Sequence, residues 1–137
     1  MAYVEELIRN ESDGTVSFGN HFLDSKTKVE NFKSKEDLLK VKTFKELTRL
    51  EKNDLFVYES EPGTSVFNFA SSDSEVSFDV CGNEDAQITV GLSENTEYTV
   101  YLDGNQTGTM KTNLSGKISI SVELADTEKV NVKIVKN

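Results

Sequence analysis

The chain is poor in the residues that most soluble chemistry draws on: in 137 residues it has no tryptophan, one cysteine, one histidine and one proline. A lone Cys81 cannot close an internal disulfide, and Cys81 with His21 is too small a set for structural zinc. Nucleophile–base catalysis needs a hydroxyl or thiol within hydrogen-bond reach of a base. Cys81 falls at the end of an alternating segment, where a small buried thiol is the expectation, and His21 in Gly19-Asn20-His21-Phe22 reads as a turn or sheet-face residue. Neither Gly-x-x-x-x-Gly-Lys nor Gly-x-Gly-x-x-Gly occurs, and Gly104-Asn-Gln-Thr-Gly108 joins strands with no helix to lend its dipole. No run approaches the about 18 apolar residues of a membrane span, and Met1-Ala-Tyr-Val-Glu-Glu lacks the basic and apolar regions of a Sec signal. The expectation is a soluble protein, cytoplasmic or non-classically exported, with no cofactor, no metal and no catalytic residue.

Basic charge is also scarce. Fifteen Lys and Arg face 24 Asp and Glu, a formal charge of −9. That balance argues against nucleic acid, whose binding needs clustered cations to release counterions, and against anionic membrane surfaces. From Asn53 to Met110 there are eleven acids and no base. Calcium loops need alternating acids at ligand spacing, which these do not show, so a solvated surface that discourages edge pairing is the reading. Without tryptophan the best sugar-stacking platform is gone. Tyr3, Tyr58, Tyr98 and Tyr101 remain, and glycoside hydrolysis would need two carboxylates placed across a sugar, which sequence alone cannot single out among 24 acids. The triplets at Asn10, Asn105 and Asn113 fit the N-glycosylation pattern, but arise by chance in a chain this rich in Asn, Ser and Thr.

What the chain does have is alternation. Phe56 and Tyr58 flank Val57, and Val66-Phe-Asn-Phe-Ala follows the turn Glu61-Pro62-Gly63. Val76-Ser-Phe-Asp-Val-Cys, Ile88-Thr-Val, Tyr98-Thr-Val-Tyr-Leu, Ile118-Ser-Ile-Ser-Val-Glu-Leu and Val130-Asn-Val-Lys-Ile-Val repeat a period of two. Gly82-Asn83, Asp103-Gly104-Asn105 and Ser115-Gly116 separate them with residues that tolerate positive φ. Strands punctuated every about 8–12 residues predict a sandwich or barrel. The first half is less legible. Ala2–Ile8 fits a strand or a short helical stretch, and Asp13-Gly14 before Thr15-Val-Ser-Phe fits a hairpin return. Residues 34–52 carry two readings. Ser34 with Asp37 resembles a helix capping box ahead of Leu38, Val41, Phe44, Leu47 and Leu50, whereas Leu39–Thr43 and Leu47–Leu50 also make a strand pair, the favoured reading.

Gly91-Leu92-Ser-Glu-Asn-Thr96-Glu-Tyr98-Thr-Val100-Tyr-Leu102 resembles the E–F region of fibronectin type III domains, in which a Leu, a Thr and a Tyr recur at this spacing. Leu92, Thr96 and Tyr98 match, while Glu94 stands where the family has Pro, and the family's early Trp is missing. The resemblance implies a tyrosine corner: the Tyr98 ring packs inward and its hydroxyl bonds a backbone group a few residues upstream. A second resemblance spans the chain. Val41-Lys-Thr-Phe-Lys-Glu, Leu50-Glu-Lys-Asn-Asp-Leu-Phe-Val-Tyr-Glu-Ser, Pro62-Gly-Thr and Met110-Lys-Thr-Asn-Leu-Ser-Gly-Lys are similar to a family of short proteins of anaerobic Firmicutes that carry the label endosialidase. That label implies glycan hydrolysis. Familiar sialidases hold the substrate carboxylate with three arginines, and this chain has Arg9 and Arg49 alone; Ser12-Asp13-Gly14 is one residue short of their Ser-x-Asp-x-Gly box.

These readings converge on an all-β protein: an N-terminal β-rich segment over residues 1–60 and an immunoglobulin-like or fibronectin III-like β-sandwich over 62–137. The expected role is a non-catalytic binding or assembly module with a protein partner or a second copy of itself. The alternative is a glycan-binding accessory module or small glycan-acting hydrolase.

Overall fold

The computed structural model describes residues 2–125 and 128–137, and over them the chain is strand and turn throughout. Thirteen strands run in order: β1 (Ile8–Asn10), β2 (Val16–Phe18), β3 (Thr27–Ser34), β4 (Asp37–Phe44), β5 (Leu47–Lys52), β6 (Leu55–Glu61), β7 (Ser65–Ser71), β8 (Glu75–Cys81), β9 (Ala86–Gly91), β10 (Glu97–Leu102), β11 (Asn105–Lys111), β12 (Lys117–Val122) and β13 (Val130–Lys136). They form two antiparallel sheets, a seven-stranded one in the order β1-β2-β7-β8-β13-β10-β11 and a six-stranded one in the order β12-β9-β6-β5-β4-β3. The expected all-β sandwich is what the chain builds. Both sheets draw strands from either side of residue 61: β2 pairs with β7, and β6 pairs with β9.

Period-two burial explains why the sheets face each other. Ile88 and Val90 of β9, Ile118 and Val122 of β12, and Val132 and Ile134 of β13 are buried, while Gln87, Lys117, Ser119, Ser121, Asn131 and Lys133 between them point to water. The centre is aromatic. Tyr58 packs edge-on against Phe18 and Phe78, with centroids 5.3 and 5.5 Å apart, and Phe69 stacks on Phe78 at 5.5 Å.

Residues 34–52 are strands. Ser34 and Asp37 face each other as the last pair of the β3–β4 hairpin, with Lys35 at φ 56° in its turn, so the apparent capping box is turn chemistry. Ala2–Ile8 is neither of its two expected forms. The Leu7 N–H donates to the Val4 carbonyl with Leu7 at φ 72°, which folds the segment into a turn that buries Val4 before β1 starts at Ile8.

The sandwich has two unlike ends. At one, the connections after β2, β4, β6 and β8 gather, and the N-terminal segment lies over them: Val4 N–H donates to the Gly19 carbonyl, and the Cys81 thiol donates to the Ala2 carbonyl. Beneath is a buried chain of hydroxyls. Thr64 Oγ1 lies 2.8 Å from the Tyr58 hydroxyl and 2.7 Å from Ser60 Oγ, and the Thr48 hydroxyl donates to the Thr64 carbonyl at 2.7 Å. Each hydroxyl finds a partner, as burial in low dielectric demands. At the other end the turns β1–β2, β3–β4 and β5–β6 border an opening between the sheets.

Candidate functional site: the open end of the sandwich

The gap between the sheets at the open end is a cavity of about 680 Å3. Its floor is apolar, made by Val16, Leu39, Leu50 and Phe69, side chains whose other faces belong to the core. Its rim is set by hairpin turns. Asn53 and Asp54, at φ 51° and 66°, form the two-residue β5–β6 turn, a conformation that Asn and Asp accept more readily than most residues. Asn53 then ties that turn to the next hairpin, its carbonyl oxygen accepting from Leu38 N–H and its amide donating to Asp37 at 2.9 Å.

Three lysines, Lys35, Lys52 and Lys117, line this mouth against two carboxylates, Asp13 and Asp37. Neutral groups already hold the carboxylates. Asp13 accepts from the Thr15 N–H and hydroxyl, which keeps its pKa below the usual range, and Asp37 accepts from Asn53. Among the described residues, none of the three ammonium groups lies within ion-pair distance of a carboxylate. Lys117 instead sits over the Phe56 ring, 4.3 Å from its centroid. The same end exposes large apolar side chains: Leu55 at 70%, Leu114 at 78% and Leu38 at 48%. A concave apolar floor with a few convergent cations is the ordinary make-up of a small-molecule site.

The two arginines are placed otherwise. Arg9 on β1 holds Glu6 and Glu11, and Arg49 on β5 holds Glu51 and Glu59, so each guanidinium is already engaged by two carboxylates, on different sheets. His21 and Cys81 are not brought into a hydrogen bond. His21 Nδ1 lies 2.7 Å from Ser65 Oγ, while Cys81 bonds Ala2, and burial pushes its thiol pKa up. The His21–Ser65 pair has the spacing of a base and a nucleophile, but Ser65 is fully buried, so its hydroxyl faces no substrate. Burial also pushes His21 down to about 4. Among the described residues no three His, Cys, Asp or Glu side chains gather to hold a metal ion, and no helix is long and apolar enough to cross a membrane.

Tyr98 is buried, and its hydroxyl accepts from the Ser93 N–H at 3.1 Å. Thr96 donates its hydroxyl to the Glu94 carbonyl at 2.8 Å, and Leu92 is half-buried against the core. These three residues hold the connection between β9 in one sheet and β10 in the other. Sequence reasoning did not find the lysines of the mouth. Their signal was positional: Lys35 and Lys52 stand at the β3–β4 and β5–β6 turns, and alternate hairpin turns of an antiparallel meander share one end. Comparison with protein families, curated proteins and solved structures found no match to this chain.

Proposed function

We propose that this protein is a non-catalytic binding module that takes a small amphipathic acid, an apolar body bearing a carboxylate or phosphate, into the open end of its sandwich. The observation that carries the reading is the pairing of an apolar floor with three lysines that, among the described residues, have no carboxylate at ion-pair distance, in a cavity of about 680 Å3. A ligand's apolar part would cover Leu39, Leu50 and Phe69, and its acid would meet Lys35 and Lys52 at the rim. Catalysis is not part of the proposal, because the single imidazole, His21, with its Ser65 partner is sealed at the opposite end. The fibronectin III-like or immunoglobulin-like relationship suits such a module, and Tyr98 with Leu92 and Thr96 is the feature that supports it. The glycan alternative has less behind it. Phe56, the aromatic ring nearest the rim, is already flanked by Lys117 and Arg49 at 4.3 and 5.3 Å, which leaves it poorly placed to stack on a sugar.

The test is titration of isotopically labelled protein with decanoate, decanol, acetate, sialyllactose and lactose. Decanoate should shift the amides of β4, β5 and the turns between them, decanol more weakly, and acetate hardly at all. Lys35→Ala with Lys52→Ala should weaken decanoate binding by about tenfold, in line with loss of two charge-assisted contacts. Silence toward decanoate with saturable shifts from either sugar would replace this reading with the glycan one.

A further inference from the structure

Four strand edges border the two sheets, and three of them carry devices that discourage pairing. β1 is only three residues long. β3 has a bulge between Val29 and Phe32, with Asn31 at φ 56°, and carries Lys28, Glu30 and Lys33. β11 is exposed along nearly its whole length and pairs with β10 through a register shift at Val100/Tyr101. The fourth edge, β12, has none of these. It pairs with β9 without interruption from Lys117↔Gly91 to Val122↔Ala86, and Ile118-Ser-Ile-Ser-Val contains no charge, proline or glycine. Its β-branched residues favour an extended strand. Its outer edge carries backbone donors and acceptors with no strand beside them.

The sequence of this edge is self-complementary. In an antiparallel pair of two β12 strands centred on Ile120, Lys117 stands opposite Glu123 of the second copy, Ile118 opposite Val122, Ser119 opposite Ser121, and Ile120 opposite itself. Opposed residues of an antiparallel pair share a face. The buried series Ile118, Ile120 and Val122 would therefore continue the inner face across the junction, and the serines and charges the outer one. Register follows from the same pattern. Moving the centre by two residues, to Ile118 or Val122, breaks both Lys–Glu pairs, and a one-residue slip of one strand sets inward side chains against outward ones. Among the described residues neither Lys117 nor Glu123 is in an ion pair within its own chain.

We propose that β12 is a self-recognition edge: two copies of this chain pair through it in antiparallel fashion about a two-fold axis at Ile120, joining their six-stranded sheets into one. This is an isologous contact, closed by its own symmetry, so the product is a dimer and not a filament. It rests on the strand edge and shares only Lys117 with the lining of the cavity at the open end.

The experiment is sedimentation velocity with light scattering on the full chain and three variants, folding being checked by circular dichroism. The unaltered chain should show a concentration-dependent dimer. Lys117→Glu sets Glu against Glu at both ends of the strand pair, Glu123→Lys sets Lys against Lys, and each should weaken dimerisation by about tenfold. The doubly exchanged chain, Lys117→Glu with Glu123→Lys, should regain it. An equimolar mixture of the two single variants should form a heterodimer, because each variant's like-charged pairs are relieved by the other's opposite sign. A chain that stays monomeric to millimolar concentration overturns the proposal. So does a dimer indifferent to the single exchanges, or one that the double exchange fails to restore.

Discussion

Acidification from neutral pH offers a measurement on one buried group, His21. The residue is 2% exposed, Nδ1 is held by Ser65, and Nε2 has no hydrogen-bond partner among the described residues. Burial penalises the imidazolium and pushes the pKa down from 6.5 to about 4. In the unfolded chain the imidazole takes up its proton near pH 6.5, and in the folded protein it resists down to about pH 4. The folded state therefore has its full advantage above pH 6.5. That advantage is lost steadily as pH falls from there to about 4, because the unfolded state binds a proton that the native state refuses. Within that window each pH step of one costs about 1.4 kcal/mol, so lowering pH from 6.5 to 4.5 should remove on the order of 2.5 kcal/mol. The carboxylates with lowered pKa values, Glu11, Asp13 and Glu30, start from ordinary values of 3.8 to 4.5 and lose their stabilisation mostly below this window. The assay is the urea midpoint at half-unit intervals of pH for the unaltered chain and for His21→Gln, which retains a polar group facing Ser65. The unaltered chain should slope across the window and the variant should be nearly flat. Equal slopes would refute the assignment of the acid sensitivity to His21.

Three further outcomes follow from the packing. Gly63→Ala should destabilise by about 3 kcal/mol, because the new methyl would overlap the Phe44 carbonyl oxygen, a backbone atom that cannot step aside; an unchanged melting temperature would show that close approach to be wrong. Tyr98→Phe should lower stability by about 0.5–1.5 kcal/mol with the fold intact, since it deletes the acceptor of the Ser93 N–H and keeps the ring; an unmoved urea midpoint would remove that bond from the account. The Cys81 thiol, buried and bonded to the Ala2 carbonyl, should react slowly with an aromatic disulfide reagent at about pH 8 and fully once urea is added. Prompt native-state labelling would mean that the N-terminal segment does not cover it.

Strands that line the core on one face were legible because burial writes itself into sequence as alternation. β8, β12 and β13 were read to within two residues at either end, and β9 by its central Ile88–Val90. β11 left no trace, since an edge strand exposed on both faces needs no apolar side chain at any position. β3 was missed for a different reason. Its bulge at Asn31 puts Val29 and Phe32, the two residues packed against the core, three positions apart, and a spacing of three breaks the period that marks a strand. The Ser34-x-x-Asp37 signature kept a helical alternative beside the favoured strand pair for a related cause: short polar side chains that cap helices also close turns. The corner residues Leu92, Thr96 and Tyr98 were found through local spacing. The mouth was not, because Lys35, Lys52 and Lys117 are remote in sequence and meet only through the meander.

The charge balance argued, in sequence, against nucleic acid and anionic membrane surfaces, and geometry limits how far that argument extends to a small acid. A formal charge of −9 spread over the whole surface acts through water and salt, where a field fades over about 8 Å. A ligand at the mouth is governed mostly by what lies within that distance, and the lining there sets three lysines against Asp13 and Asp37, whose lone pairs are already partly occupied by Thr15 and Asn53, with Glu36 and Asp54 next to it in the same turns. The apolar floor lowers the local dielectric and lengthens the reach of those cations. The two ends of the sandwich thus divide the work. At the end closed by the N-terminal segment, polar groups are buried and satisfied almost to the last atom, which fixes the sheets against each other. At the open end the same sheets part, and the lysines there, with no carboxylate at ion-pair distance among the described residues, are the basis of the proposed acid site.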